Sequence, residues 1–185
     1  MTFNTILVTL FLINLFTLIL CQKDMGPGLW LIKNVKDCDD PEQYAIQSIL
    51  ERVKINRTHD SFTFGVTLLE DLDCTYSLLI DVYKLCDGGY KYQQKIEDKC
   101  ACTFADENIN SNFVQATFLA NLAAECPVPL GVHYIEDFVM NYKELPKQCI
   151  YGEFLANVYI KRLGETVFCK ILELECEETE GADED

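Results

Sequence analysis

The chain has 185 residues, with 30 Asp and Glu against 15 Lys and Arg, and its formal net charge is −15. A chain this acidic is a poor candidate for binding nucleic acid or an anionic membrane through charge. Any lipid that it binds must therefore be held by burial of apolar surface. Six of the acids lie within residues 177–185, and this composition predicts a solvated, disordered tail.

The first 21 residues contain no charged side chain and are almost wholly apolar. This pattern is typical of a secretory signal peptide cleaved near Cys21, although it lacks the usual Lys or Arg before the apolar run and is long enough to be an uncleaved anchor. We favour cleavage, because nothing later resembles a second span and ten cysteines suit an oxidising compartment. We therefore predict a secreted, extracellular protein, with delivery to lysosomes as an alternative, and no stable membrane insertion after cleavage.

If Cys21 leaves with the leader, nine cysteines remain. Nine is odd, so one thiol is free, or pairs between chains, or cleavage falls one residue earlier. Cys100-Ala101-Cys102 could begin a metal site, but no second cluster supplies tetrahedral partners, and His59 and His133 are isolated. We predict disulfides, with no metal ion and no cofactor.

The first part of the body gives three local predictions. Residues 28–36 are expected to be a first strand or an extended lead-in around Trp30. Asp40-Pro41 followed by Gln43 has the features of a helix start, and the apolar spacing that follows is helical as far as Val53. Asn56-Arg57-Thr58 is the only glycosylation sequon, and a sugar on Asn56 would mark this loop as outward-facing.

Alternating apolar residues predict two strands in the middle of the chain, residues 62–69 and 76–82, joined as a hairpin by the acidic turn 70–73. The turn Asp87-Gly88-Gly89 ends this hairpin, and residues 91–98 are a loop or a solvated strand edge. Helical spacing over residues 111–125 predicts a short amphipathic helix ending before Cys126-Pro127. Its aromatic face would be either ordinary core or a lid over a ligand cavity.

The last third has the clearest strand pattern. Residues 132–140 predict one strand. Residues 154–161 and 167–171 alternate on either side of Leu163-Gly164, as the two strands of a hairpin do. We expect these three strands to form a sheet.

Motifs typical of catalysis do not occur in the sequence. It has no Gly-x-Ser-x-Gly elbow, no phosphate loop and no His-Glu-x-x-His. Two histidines leave little for triad chemistry, and the carboxylate pair Asp39-Asp40 is better explained as part of a turn. We predict that the protein is not an enzyme.

Several short motifs follow one another in a recognisable order. They are Cys126-Pro127, Gly131, Leu145-Pro146, Gly152-Glu153-Phe154, and Arg162-Leu163-Gly164 leading to Cys169-Lys170-Ile171. In this order and spacing they resemble the family of the GM-two ganglioside activator and its relatives among the insect contact-chemosensory secreted proteins. Residues 34–39, Asp40-Pro41 and Ile46-Gln47-Ser48-Ile49 are similar to that family's opening motif. The likeness covers most of residues 38–176.

The resemblance implies an all-β, mainly antiparallel cup or sandwich around an apolar cavity, with one short helix, in a single domain of residues 22–176. It implies that residues 42–55 are a strand, and we prefer this to the local helix signal because tertiary context overrides propensity. The implied disulfides are Cys38–Cys169 and Cys102–Cys126, with Cys86–Cys100 as a looser analogy. Cys149 and Cys176 lie near the open end of the last hairpin and could pair, which would leave Cys74 free.

Two departures from the family narrow the expected function. The segment between Cys102 and Cys126 lacks the additional disulfide of the ganglioside activator, and the acidic tail is extra. Both departures favour a function like that of the chemosensory-type relatives over the enzyme-docking role of the ganglioside activator.

The function implied is a secreted lipid-binding protein that sequesters a glycolipid, fatty acyl chain or hydrocarbon signal for transport or presentation, with a receptor or a lipid hydrolase as a further partner. The cavity walls expected from alternation are Phe64, Val66, Leu78, Ile80, Phe113, Phe118, Leu122, Phe138, Met140, Phe154, Val158 and Ile160. The alternative is a disulfide-stapled interaction module without a ligand cavity. A core with no ligand-sized void would distinguish it.

Overall fold

The computed structural model describes residues 25–56, 59–122 and 125–179. The expected leader, residues 1–21, lies outside these ranges, as do residues 180–185 of the expected tail. Within them, no helix combines the length and the apolar composition needed to cross a membrane.

The described residues form nine strands and one α-helix. The strands are β1 (Met25–Asp37), β2 (Gln47–Lys54), β3 (Asp60–Leu68), β4 (Tyr76–Cys86), β5 (Gly89–Asp98), β6 (Gly131–Val139), β7 (Gln148–Ile150), β8 (Gly152–Arg162) and β9 (Glu165–Glu178). The helix is α1 (Ala101–Leu119), and 3₁₀ turns occur at Pro41–Gln43 and Tyr142–Glu144. All strand pairs are antiparallel, in one sheet of order β5-β4-β8-β9-β1-β7 and a second of order β2-β3-β6. The predicted all-β class with one helix is confirmed.

The C-terminal hairpin is present as predicted, with β8 and β9 joined through Leu163 and Gly164, both at positive φ. β9 continues through Glu178, beyond the expected domain end at residue 176, because Gly28 and Leu29 of β1 pair with its last two residues. β6 is also a strand as predicted, but it pairs with β3 in the three-stranded sheet and not with the C-terminal hairpin.

The predicted hairpin of residues 62–69 and 76–82 is wrong. Both segments are strands, but β3 lies in the three-stranded sheet and β4 in the six-stranded sheet. The loop between them is held by other partners: Leu72 exchanges backbone hydrogen bonds of 2.8 and 3.2 Å with Val128, and Leu130 N–H donates to Asp71 Oδ1 at 2.8 Å. Alternation of apolar residues indicates which face of a strand is buried. The same alternation is found whether two consecutive strands pair as a hairpin or lie in different sheets. Instead, β3 forms a hairpin with β2, and β4 forms a hairpin with β5.

The helix start at Asp40-Pro41 yields only the 3₁₀ turn Pro41–Gln43. From Gln47 the chain is extended, because β2 pairs with β3 along its whole length, as the family resemblance implied. The helix predicted over residues 111–125 begins ten residues earlier, at Ala101, and ends at Leu119. Asn121 adopts a left-handed conformation (φ 54°) that stops the helix before the residues expected to end it.

Four disulfides join described cysteines, and no described cysteine is free. They are Cys38–Cys169, Cys74–Cys100, Cys102–Cys126 and Cys149–Cys176. The expected pair Cys86–Cys100 and the expected free Cys74 are wrong, and Cys86 is itself disulfide-bonded. The reason is hairpin geometry: Cys86 lies at the turn of β4–β5, whereas Cys74 and Cys100 flank its open end. Ten residues at about 3.3 Å each separate these two ends by roughly 30 Å.

Apolar side chains form two clusters. The first apolar cluster is Val82, Cys149, Phe154 and Cys176, with Trp30 packed on Phe154 at 5.3 Å between ring centroids. The second apolar cluster is Ile46, Leu68 and Tyr76, and half-buried side chains of β3, β8 and β9 pack against it. The candidate site lies beside this second cluster.

A buried polar network holds the β2–β3 hairpin against β1. Asp60 is almost fully buried and accepts hydrogen bonds from Tyr142 Oη at 2.7 Å and Arg52 Nη2 at 2.9 Å. Arg52 Nη1 donates to the carbonyl of Lys33 on β1 at 2.7 Å. Burial, followed by the hydrogen bond to Asp60, raises the pKa of Tyr142 above its usual value. The three-stranded sheet is thereby fixed relative to the rest of the fold.

Candidate ligand cavity

A cavity of about 200 Å³ lies between the three-stranded sheet, the C-terminal end of α1 and the turn end of the β8–β9 hairpin. It is partly open to solvent, and the atoms that face it are apolar. The lining residues are Ile46, Phe64, Val66, Leu68, Leu72, Ala116, Thr117, Ala120, Leu122, Val128, His133, Ile135, Ile160 and Phe168.

The three-stranded sheet forms one wall by simple alternation. Phe64, Val66 and Leu68 are spaced two residues apart on β3 and so point to the same side of the sheet. His133 and Ile135 repeat this spacing on the neighbouring strand β6. The register pairs Phe64 with Ile135 and Val66 with His133, so the two rows lie side by side.

The helix forms the opposite wall, and its small side chains leave the space open. Ala116 lines the cavity near the end of α1, and Ala120 lines it just beyond the helix. Two attachments hold the helix in place: the disulfide Cys102–Cys126, and Asn112. The Asn112 side chain is fully buried, donates to Asn141 O at 3.1 Å and accepts from Asn141 N–H at 2.8 Å. Because the helix is fixed, the alanines cannot close the cavity by moving inward.

The two polar residues of the lining are bonded to backbone carbonyls. Thr117 Oγ1 donates to Val114 O at 3.0 Å, and His133 Nε2 lies 2.7 Å from Pro129 O. No lining residue is an Asp, Glu, Lys or Arg. In the described ranges, no group of three His, Cys, Asp or Glu is placed to hold a metal ion. The cavity can therefore accept apolar groups by burial, and it offers no countercharge to an ionised group.

The structure places four of the expected wall residues in the lining: Phe64, Val66, Leu122 and Ile160. Phe154 packs instead in the first apolar cluster, and Phe118 is 76% exposed. The remaining expected residues outside this lining are Leu78, Ile80, Phe138, Met140 and Val158. The Phe113 side chain lies outside the described part of the structure.

On β8, only one end of the expected row of wall residues borders this cavity. Phe154 and Ile160 lie on the same face of the strand, but they are six residues apart, which corresponds to roughly 20 Å along the strand. One end of the strand packs in the first apolar cluster and only the other end reaches the cavity. Among the residues missed, Leu68 had a signal, since it continues the Phe64 and Val66 row. No pattern in the sequence could have identified Leu72, Val128 and the two alanines. They belong to loops and to the end of a helix whose position in the fold cannot be predicted from the sequence.

Comparison with known proteins adds little to this geometry. No protein-family model matches the sequence, and a search of curated proteins finds no match. Among solved structures the chain is similar to chicken MD-1, in "Crystal structure of chicken MD-1 complexed with lipid IVa". The identity is 14%, the match covers 83% of this chain and 97% of that chain, and the TM-score is 0.36. We take neither a family nor a ligand from a similarity of this size, and the fold rests on the strand pairing of the chain itself.

Proposed function

We propose that this protein binds an uncharged apolar ligand, or one apolar segment of a lipid, in the cavity between the three-stranded sheet and α1. The observation that carries the proposal is a void of about 200 Å³ that faces only apolar atoms inside a disulfide-linked fold. Filling an apolar cavity with hydrocarbon removes its lining from water and supplies contacts that the unfilled cavity lacks.

The volume sets the size of the ligand segment. An engineered apolar cavity of about 150 Å³ in another protein binds benzene, which has six carbons, so a cavity of 200 Å³ corresponds in proportion to about eight carbons. Burial contributes about 0.8 kcal/mol for each methylene, which is roughly a fourfold change in Kd. A sixteen-carbon chain would bury about half its length here, and the rest would lie at the opening or require the cavity to widen.

The residues that line the cavity determine the polarity of the ligand that can bind. A hydroxyl buried without a hydrogen-bond partner costs about 1–3 kcal/mol, and an unpaired carboxylate costs more. Because Thr117 and His133 are already bonded to backbone carbonyls, we expect the ligand to enter with its apolar end first and to leave any head group at the opening. Fatty acyl, hydrocarbon and glycolipid ligands all meet this condition.

The proposal includes the setting of the protein. We propose a secreted protein in which one domain, extending to Glu178 at the end of β9, follows a cleaved leader, and in which the disulfides reflect an oxidising compartment. Because Cys86 is disulfide-bonded as well, we expect an even number of cysteines in the mature chain and a cut that falls before Cys21. A receptor or a lipid hydrolase that takes up the bound ligand stays a prediction, as does a sugar on Asn56. The exposed position of Asn56, at the turn between β2 and β3, is compatible with that modification.

Calorimetric titration with straight-chain alcohols from hexanol to decanol tests the proposal. We expect Kd to fall about fourfold for each methylene up to octanol, and to change little beyond it. The matched control is 1,8-octanediol, whose second hydroxyl must enter the apolar end, and it should bind about five- to 150-fold more weakly than octanol. Absence of saturable binding to every alcohol would refute ligand binding in the cavity. A fall that continued unchanged to decanol would refute the size limit.

The interaction module without a cavity is not favoured by this geometry. Such a module needs a solid core, whereas the second apolar cluster here borders a void of about 200 Å³, and few voids in a close-packed core exceed the size of a water molecule.

A further inference from the structure

The outer face of the three-stranded sheet is unusually apolar. This is the side of the sheet that points away from the cavity, and we refer to it as the outer face. Its exposed large apolar residues are Ile49, Val53, Val132 and Tyr134, each between 51% and 77% exposed. Single exposed apolar side chains are ordinary on a protein surface, but several together on one sheet face are typical of an interaction site.

The strand register makes these residues contiguous. Ile49 pairs with Gly65, and Gly65 pairs with Tyr134, so the three lie in one row across the sheet. The Tyr134 ring lies over Gly65, since a Cβ on that glycine would be 3.1 Å from Tyr134 Cδ2. Val132 continues the same face along β6. Because glycine has no Cβ, the exposed aromatic ring can approach the backbone of the sheet closely at this point.

The charged residues of this face are acidic. Glu51 pairs with Thr63 in the row next to Gly65, and Glu136 follows Tyr134 by two residues on β6, so the two carboxylates lie on either side of the middle strand. Strands are about 4.8 Å apart, which puts the backbones of these two residues roughly 10 Å from each other. Partial burial of the ring and the charges of Glu136 and Glu51 raise the pKa of Tyr134, in keeping with their proximity.

We propose that the outer face is a docking surface for a partner protein whose contacting segment presents Arg or Lys between apolar side chains. A guanidinium placed over Thr63 would lie between the carboxylates of Glu51 and Glu136 and beside the Tyr134 ring, which combines ion pairing with a cation–π contact. The apolar residues around this position supply the area that such a contact needs.

Charge also argues against two other occupants. A second copy of this chain would bring Glu51 and Glu136 against acidic residues of a chain with net charge −15. An anionic lipid surface would be repelled by the same groups. A basic partner is the occupant that the charge favours, and its binding does not require a ligand in the cavity.

The test uses the full, disulfide-bonded chain and two synthetic peptides. One hexapeptide alternates Arg with Val, and the other has Glu in place of each Arg. Binding is followed by amide chemical shifts in ¹⁵N-labelled protein. We expect only the Arg peptide to bind, with shifts centred on Ile49, Gly65 and Tyr134, and we expect binding to weaken as salt is raised.

Two variants and their matched controls assign the effect to this face. The double variant Glu51→Gln with Glu136→Gln should weaken binding of the Arg peptide about tenfold, whereas Asp106→Asn with Glu107→Gln, on the exposed side of α1, should not. Val132→Ser should also weaken binding, and Leu163→Ser, which changes another highly exposed apolar residue at the β8–β9 turn, should not.

Four results would overturn the proposal. They are failure of the Arg peptide to bind, equal weakening by the two acidic double variants, a concentration-dependent dimer in sedimentation that Val132→Ser abolishes, and binding to phosphatidylcholine vesicles that Val132→Ser abolishes. The alcohol titration measures ligand binding in the cavity independently of the peptide experiment. Loss of docking on the outer face and loss of ligand binding can therefore be told apart.

Discussion

Replacing Ala116 by Leu should fill much of the cavity from the helix side. Ala116 lines the void, and leucine adds three carbons to a space that holds about eight. Octanol would then lose about three buried methylenes, or roughly 2.4 kcal/mol, so its Kd should rise about fiftyfold. The same substitution buries apolar surface in the free protein, and the free energy of unfolding should increase by about 1 kcal/mol.

The assay pairs octanol calorimetry with urea unfolding of the disulfide-bonded protein. Gln115→Leu is the matched control, because it adds leucine to the neighbouring position of α1, which is exposed, and should leave the Kd unchanged. An octanol Kd equal to that of the wild type in Ala116→Leu would refute the location of the site. A loss of about 1–3 kcal/mol in stability would show that the region is already fully packed and that no usable void exists.

Three further predictions concern the fold. Because the pKa of Tyr142 is raised, the unfolded chain releases a proton near pH 10 that the folded chain retains, and the free energy of unfolding should fall as pH rises above 10. Tyr142→Phe should lessen this fall and should lower the free energy of unfolding by about 1.5–3 kcal/mol at pH 8. Urea unfolding of both proteins at pH 8 and above pH 10 measures the two effects. Cys74→Ser with Cys100→Ser should lower the free energy of unfolding by about 3.5 kcal/mol, from a sequence separation of 26, and peptide mapping of the wild type should recover this pair and not Cys86 with Cys100. Asn56→Gln should remove one glycan from the protein secreted by a eukaryotic host, and an unchanged mass would contradict use of the sequon.

Strand faces could be predicted from the sequence, whereas strand partners could not. The patterns around Phe64, Leu78 and Val158 each describe one half-buried face, and all three segments are strands. Nothing in those patterns says that β3 pairs with β6 and that β4 pairs with β8, because alternation is a property of one strand and pairing is a property of two. The false β3–β4 hairpin follows from this limit.

The disulfides show how a topology error spreads. Once residues 91–98 are assigned to a strand paired with β4, the open end of that hairpin must bring Cys74 and Cys100 together. The sequence predicts only a loop or a solvated edge there, because the side chains of this edge strand are mostly exposed and show no apolar alternation. The three other expected disulfides are Cys38–Cys169, Cys102–Cys126 and Cys149–Cys176. They attach β1, α1 and the C-terminal hairpin, which the resemblance or the local sequence pattern predicts.

The family resemblance implied an apolar cavity, but the position and lining of the cavity were the features least predictable from the sequence. The existence of the cavity depends on alanines at 116 and 120, which in a sequence read as unremarkable helix residues. A void arises where a helix is held at a fixed distance by a disulfide and by Asn112 while its side chains are too short to fill the gap. That combination is a property of the packed structure, since no single segment contains it.

The most direct test of ligand binding in the cavity is to locate bound octanol by nuclear Overhauser effects to methyl-labelled isoleucines. We expect contacts from the terminal methyl of octanol to Ile46, Ile135 and Ile160, and none to Ile96, which packs against the first apolar cluster. Contacts to Ile96 alone, or no contact to any labelled methyl at saturating octanol, would contradict ligand binding in the cavity.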